Sequence, residues 1–169
     1  MSYLDSLLED LLTSLDRETA LYQNLLLILQ REKQAVVGLA FDDLNESNKE
    51  KETLILQARA FEEARLVLSE RLAEQLKIPA HKLTLLHLSD AVEEPYSAKL
   101  KTYRSNLLSL LSSIQEINRV NETLIAHSLD CFTGSLSLLT SLVSSGSTYL
   151  DTGRLQQVSR HGKLVRGKV

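Results

Sequence analysis

The sequence predicts an all-α protein: an elongated antiparallel three-helix bundle, or coiled coil, with one short inserted helix and a flexible C-terminal tail. The chain of 169 residues contains only 6 Gly and 2 Pro, so the residues that sheet turns need are scarce. Most apolar side chains are Leu, which favours helices. They recur at spacings of three and four residues, which places them on one helix face. We therefore expect a helical body over 1–145 and a tail over 146–169.

The first predicted helix covers about residues 3–37. Charged Glu18 and Glu32 occupy two positions of its apolar stripe. The stripe is broader than a coiled-coil seam, so we expect the helix to contact more than one partner face. The apolar positions of this stripe are Leu4, Leu8, Leu11, Leu15, Tyr22, Leu25, Leu29 and Val36.

The second predicted helix covers about residues 43–77. Gly38 opens the connection to it, and Asp42 or Asp43 is the expected N-cap, because a carboxylate accepts hydrogen bonds from free backbone N–H groups. Its first turns, NESNKEKE, are polar on all sides, which indicates an exposed end that projects past its neighbours or lies near a loop. Pro79 ends the helix because proline disfavours helical angles at the residue before it.

A short helix and a long helix complete the body. Thr84 is the expected cap of a helix over about 85–92, and Pro95 suits the first turn of a helix over about 95–144. Fifty helical residues span ~75 Å, whereas each earlier helix spans ~52 Å. We therefore predict that the C-terminal third of the long helix has no partner within the chain.

Asn121 interrupts the apolar stripe of the long helix. A buried carboxamide needs hydrogen bonds, and in helical bundles it often fixes the register. Alternatively, Asn121 belongs to a softer face, since Ser128 and Ser135 follow on the same stripe. An apolar band runs beside them, and such a face on an unpartnered helix end suits binding of another helix. The band consists of Leu124, Ile125, Leu129, Phe132, Leu136 and Leu139.

Composition and charge exclude several classes of function. Residues 146–169 carry five basic residues against one acid, whereas 1–145 carry 14 basic against 21 acidic residues. This small basic footprint without interleaved aromatic residues argues against nucleic acid. The N-terminus lacks a signal pattern, and no apolar run reaches the ~20 residues of a membrane span, so we expect a cytoplasmic protein without stable membrane insertion.

No catalytic or metal-binding pattern is present in the sequence, so we expect neither an enzyme nor a cofactor. There is no phosphate-binding glycine loop and no paired cysteine. Cys131 is expected to be a small buried apolar residue. His127 suggests a phosphotransfer domain, but the sequence after it, SLDCFTG, lacks the expected basic residue. In the tail, Tyr149 is a lone aromatic residue in a polar segment, as in many binding anchors.

Three stretches resemble the FlgN family of flagellar type III export chaperones. The two leading helices, LYQNLLLILQREKQAVVGLAFDDLNESNKEKETLI, are similar to the family's first pair. The stretch IQEINRVNETLIAHSL is similar to the N-x-x-N-x-x-L-[IL] pattern of its last helix. The end, TYLDTGRLQQVSRHGKLVRGKV, resembles the family's terminal Tyr, turn and basic finish, although Leu150 replaces the glycine that often follows the tyrosine.

The resemblance implies a chaperone that binds the C-terminal helical segments of hook-associated (hook–filament junction) proteins and delivers them to the export gate. It implies that Tyr149 contacts the gate and that the C-terminal half of the long helix binds the client. For Asn118 it leaves an outward polar contact and helix pairing both open. A structural coiled-coil adaptor or self-assembling homodimer remains the alternative. The client-binding residues would be Asn121, Leu124, Ile125, Ser128, Leu129, Phe132, Leu136 and Leu139.

Overall fold

The structure, a computed structural model, describes residues 3–145, and all regular structure in this part is helical. The four helices are α1 Tyr3–Gly38, α2 Phe41–Leu76, α3 Leu85–Ala91 and α4 Tyr96–Ser145, with a single 3-10 turn at Ala80–Lys82. The all-α prediction is confirmed, and every predicted helix boundary lies within two residues of the observed one. The 3-10 turn was not predicted. The tail over 146–169, with Tyr149, lies outside the described residues.

The contacts divide the chain into two compact units. Unit 1 is Met1–Ala126 and unit 2 is His127–Val169, so the division falls within α4. The boundary predicted after residue 145 from composition stays a prediction. The two units are described separately below.

In unit 1, α1 and α2 pack antiparallel. Glu18 lies opposite Arg65 and Glu32 lies opposite Lys51, so the residue numbers rise along one helix as they fall along the other. The polar first turns of α2 are mostly exposed and lie beside the turn that follows α1, as expected, and ion pairs join them to α1. Ser47 in these turns is buried.

The N-terminal part of α4 runs parallel to α1 in the same unit. The Tyr103 hydroxyl donates a hydrogen bond to Asp16, and Asn121 donates one to the backbone carbonyl of Leu29. A leucine core joins α1, α2, α3 and α4, because apolar side chains leave water where the stripes of the helices meet. Its buried members are Leu7, Leu8, Leu11, Leu12, Leu15, Leu72, Leu88, Leu100 and Leu107.

The helix ends are fixed mainly by the backbone. The turn after α1 is a Schellman motif, in which the Ala40 N–H bonds the Ala35 carbonyl and the Leu39 N–H bonds the Val36 carbonyl. This turn leads directly into α2 at Phe41, so the predicted Asp42 or Asp43 cap is wrong. Ala40 is the N-cap, and both aspartates lie in the first turn.

The connection between α2 and α4 agrees with the predicted cap. The Thr84 side chain accepts a hydrogen bond from the backbone N–H of His87, as expected for the start of α3. The Glu94–Pro95 peptide bond is cis. Pro95 directly precedes α4, which begins at Tyr96, one residue later than predicted.

The contact between Tyr103 and Asp16 leads to a testable prediction. The hydrogen bond to the Asp16 carboxylate, with burial adding to it, raises the pKa of Tyr103 to about 12. The folded-state pKa is therefore above that of an unfolded tyrosine, near 10. The stabilisation is complete below about pH 10 and is lost as the pH rises toward 12.

Ultraviolet titration of phenolate formation checks this value. We expect the difference between the wild-type protein and the Tyr103→Phe variant to be one tyrosine that ionises near pH 12. If the tyrosine that the variant lacks instead ionises near pH 10 in the wild-type protein, the packing of α4 on α1 described here would be contradicted.

Candidate functional site: an apolar face on the last helix

Asn121, expected to contact a client, is buried in unit 1 with 1% of its surface exposed. Its side-chain NH₂ group donates to the Leu29 carbonyl oxygen and to Glu32 Oε2, both at 2.8 Å. These bonds occupy both donors of the carboxamide and tie α4 to α1. The side chain is therefore not available to a client in this structure, and its geometry fits the alternative interpretation, that a buried asparagine fixes the register.

Asn121 belongs to a buried polar layer between α1, α2 and α4. Lys51 forms an ion pair and hydrogen bond with Glu32 Oε1, so the carboxylate is shared between α2 and α4. Glu32 has 3% of its side chain exposed and Lys51 23%. Among the described residues, Asn121 Oδ1 and Ser47 Oγ are buried without a hydrogen-bond partner. The layer favours one alignment of the three helices. If one helix shifted along another, the buried Glu32 carboxylate would lose its partners.

A second polar layer lies at Glu18, two heptads before Glu32. The Tyr22 hydroxyl donates to Glu18 Oε1 at 3.3 Å, and Arg65 Nε lies 3.4 Å from Glu18 Oε2. Burial and the negative charge of Glu18 raise the pKa of Tyr22. Glu18 and Glu32, the two charged residues in the apolar stripe of α1, thus pair with cations of α2.

Unit 2 carries an exposed row of large apolar side chains. Leu129 is 61% exposed, Phe132 62%, Leu136 48% and Leu139 58%. Their spacing of three, four and three residues places them on one face of α4. We call these four residues the C-terminal apolar face. Large side chains in such a row are costly to leave in water and are typical of a surface that binds a partner.

Three hydroxyl groups in the same stretch of α4 already have hydrogen-bond acceptors within the helix. The hydroxyl of Thr133 donates to the Leu129 carbonyl and that of Thr140 to the Leu136 carbonyl, both at 2.8 Å. Ser135 bonds the Cys131 carbonyl in the same way. A partner that covers these hydroxyls therefore leaves no donor unsatisfied. Asp130 is the only Asp, Glu, Lys or Arg residue in 127–145.

The remaining predicted client residues are less accessible. Leu124 and Ile125, in unit 1, are half-buried, and so is Ser128 in unit 2. Two other large side chains of unit 2, Leu138 and Leu142, are 67% and 68% exposed. Their spacing continues the stripe of Asn121, Ser128 and Ser135, but neither residue was among the predicted site residues. They could have been predicted from the apolar stripe, because its spacing continues past Asn121 to both residues.

Cys131 corrects another expectation. It was predicted to be buried, but the structure exposes it. The expectation rested on how often free cysteine is buried, but Cys131 lies on a stripe that is exposed in unit 2 at Leu138 as well. A helical period shows which side chains share a face, and burial additionally requires something packed against that face.

Within residues 3–145, no three His, Cys, Asp or Glu side chains are grouped so that they could hold a metal ion. None of the helices in this part of the chain has both the length and the apolar character needed to cross a bilayer. His127 is exposed. The observed features are helix packing and exposed apolar surface.

An exposed apolar row on a helix is typical of proteins that bind other proteins. A sequence profile of the family described as FlgN protein matches residues 1–157 of the chain. The chain belongs to the FlgN family, and this membership implies a chaperone of flagellar protein export. Comparisons with curated proteins and with solved structures gave no match.

Proposed function

We propose that the protein is a cytoplasmic export chaperone that binds hook-associated proteins of the flagellum and delivers them to the type III export gate. The C-terminal apolar face supports this proposal most directly. Four large apolar side chains, each about half exposed or more, lie in a row on α4. The C-terminal helical segment of a client would cover them and would itself be kept from premature assembly.

The apolar character of the C-terminal apolar face suits binding that is tight enough to protect a client and still reversible. Apolar burial contributes about 25 cal/mol per Å² before the costs of association. A few hundred Å² on each side then supports affinities from micromolar to nanomolar. Because Asp130 is the only Asp, Glu, Lys or Arg residue in 127–145, we expect the affinity to depend little on salt.

Binding to purified hook-associated proteins of the same bacterium tests the proposal. We expect calorimetry to give a dissociation constant between micromolar and nanomolar for at least one of them. A truncated client without its C-terminal helix is the control, and we expect it not to bind. Equal affinity for the truncated client, or no binding to any hook-associated protein, would contradict the proposed function.

Tyr149 is proposed as the contact with the export gate, on the resemblance of the sequence around it. The residue lies outside the described part of the chain. We expect Tyr149→Ala to leave client binding unchanged and to reduce export of the hook-associated protein and motility. Unimpaired export and motility with Tyr149→Ala would remove the gate assignment.

A self-assembling helical dimer is the second candidate, because the C-terminal apolar face would also fit a second copy of itself. Light scattering separates the two candidates. A dimer at all concentrations that blocks client binding would favour self-assembly. A monomer, or a weak dimer that the client dissociates, agrees with the chaperone.

A further inference from the structure

We propose a second docking surface at the hairpin between α1 and α2, which fits a protein partner with an apolar pocket rimmed by Lys or Arg. The surface consists of Val37, Leu39 and Phe41, which we call the hairpin tip. It lies in unit 1 and shares no residue with the C-terminal apolar face.

The first observation is exposure. Val37 is 67% exposed, Leu39 64% and Phe41 72%, and Phe41 is the most exposed large apolar side chain in the described part of the chain. A turn between two helices is normally polar, because nothing covers it. Three large apolar side chains within five residues at such a turn form an interaction surface.

The second observation is the backbone of Leu39. Its φ of 53° is in the left-handed region, at the position of the Schellman motif that glycine usually occupies. A leucine there is strained because its Cβ crowds the backbone. The neighbouring Gly38, which would fit this conformation, is the last residue of α1 instead. The chain thus keeps a leucine side chain at the tip at a cost in stability.

Lys77 provides a comparison within the same molecule. It has a φ of 57° in the Schellman motif that ends α2, so the backbone strain is equivalent. Its side chain is polar and exposed, as expected for a solvent-facing turn. Of these two turns, only the one after α1 combines the strained conformation with exposed apolar side chains.

The third observation is the charge around the tip, which indicates the partner. Asp42, Asp43 and Glu46 follow the tip, and they outnumber the nearby cations Lys33 and Arg31, of which Arg31 is paired with Glu50 and also attracts Asp43 and Glu46. The aspartates also suit the first turn of α2, where the helix dipole favours negative charge. An excess of carboxylates repels the anionic lipids of a membrane and attracts a protein surface with a cationic rim.

Photocross-linking identifies the partner. In the living bacterium, p-benzoylphenylalanine replaces Phe41, and mass spectrometry identifies the linked segment. The same label at Leu56 of α2, where the side chain is 65% exposed, is the control. We expect a protein adduct at position 41 alone, and we expect the linked segment to be apolar with Lys or Arg beside it.

Binding of the purified partner then tests the mechanism with a matched pair of variants. Leu39→Gly and Lys77→Gly both relieve the strained backbone, so each is expected to raise the Tm by about 2 to 4 °C. We expect Leu39→Gly to weaken binding at least about 10-fold because a buried apolar anchor is lost, and Lys77→Gly to leave it unchanged. The combined Asp42→Asn and Asp43→Asn change should reduce the salt dependence of binding.

Several results would overturn the inference. They are an adduct with a second copy of the chain or with lipid, no adduct at position 41, a linked segment without cationic residues, or equal weakening by Leu39→Gly and Lys77→Gly. The test is separate from that of the proposed function. Leu129→Asp removes part of the C-terminal apolar face, and we expect it to leave binding at the hairpin tip intact.

Discussion

We expect the combined substitution of Leu129→Asp and Phe132→Asp to weaken binding of the hook-associated client at least about 100-fold, equivalent to about 3 kcal/mol. The two side chains are 61% and 62% exposed and are neighbours on one helix face. In the complex, each aspartate would place a charge beneath the client helix, where no cation of 127–145 could pair with it. Both the lost apolar contact and the buried charge oppose binding.

The fold of the variant should remain intact, because neither side chain belongs to the leucine core. Circular dichroism and the Tm are expected to match those of the wild-type protein. Leu66→Asp is the matched control, since Leu66 is an exposed leucine of α2, at 53%, outside the face. We expect Leu66→Asp to bind the client normally. Undiminished capture by the folded double variant would exclude the C-terminal apolar face as the client site.

The segment that bears this face has a further property that binding should reveal. Nine of the 19 residues in 127–145 are Ser, Thr or Gly, which are weaker helix formers than Leu or Ala. Gly134 has open space around its Cβ position, so no contact requires a glycine there. We infer that this part of α4 opens readily. A client that packs on it should therefore slow amide hydrogen exchange in 127–145.

The second large effect is expected in the buried polar layer. We predict that Lys51→Ala destabilises the protein by about 2–4 kcal/mol, because it leaves the Glu32 carboxylate in the core without a cation. Asn121 would remain as a hydrogen-bond donor to Glu32, but a neutral amide does not balance the charge. Urea unfolding followed by circular dichroism measures the loss.

A neighbouring ion pair supplies the control. Arg31 makes two hydrogen bonds with Glu50, at 2.9 and 3.0 Å, between the same two helices. These bonds lower the pKa of Glu50. The pair is exposed, with 50% and 39% of the side chains accessible, so we expect Arg31→Ala to change stability little. Equal losses for Lys51→Ala and Arg31→Ala would contradict the buried character of the layer.

A compensating change separates the charge from the contacts. Adding Glu32→Gln to Lys51→Ala is expected to restore part of the lost stability, because a neutral carboxamide of the same shape costs less to bury than a carboxylate. The Asn121 side chain can still donate to the glutamine oxygen. If the double variant were less stable than Lys51→Ala alone, a buried charge would not be the cause of the loss.

Much of the helical architecture could be predicted because its signals are local. The three- and four-residue spacing of leucines located α1, α2 and α4, and Thr84 located α3. The N-cap of α2 was missed because a backbone turn through Leu39 replaces a side-chain cap. The hairpin tip was not predicted either, because the turn through Leu39 was not predicted. Val37, Leu39 and Phe41 nevertheless lie close together in the sequence.

By itself, the sequence determined that the protein is helical, which side chains share a face, and that Glu18 and Glu32 interrupt the first stripe, because these properties depend on neighbours a few residues apart. Only the tertiary structure decided that Asn121 belongs to the core, where it bonds Leu29 and Glu32, and that Leu129 and Phe132 are exposed. The environment of a stripe position depends on which residues of distant segments pack against it, and that depends on the register of the helices.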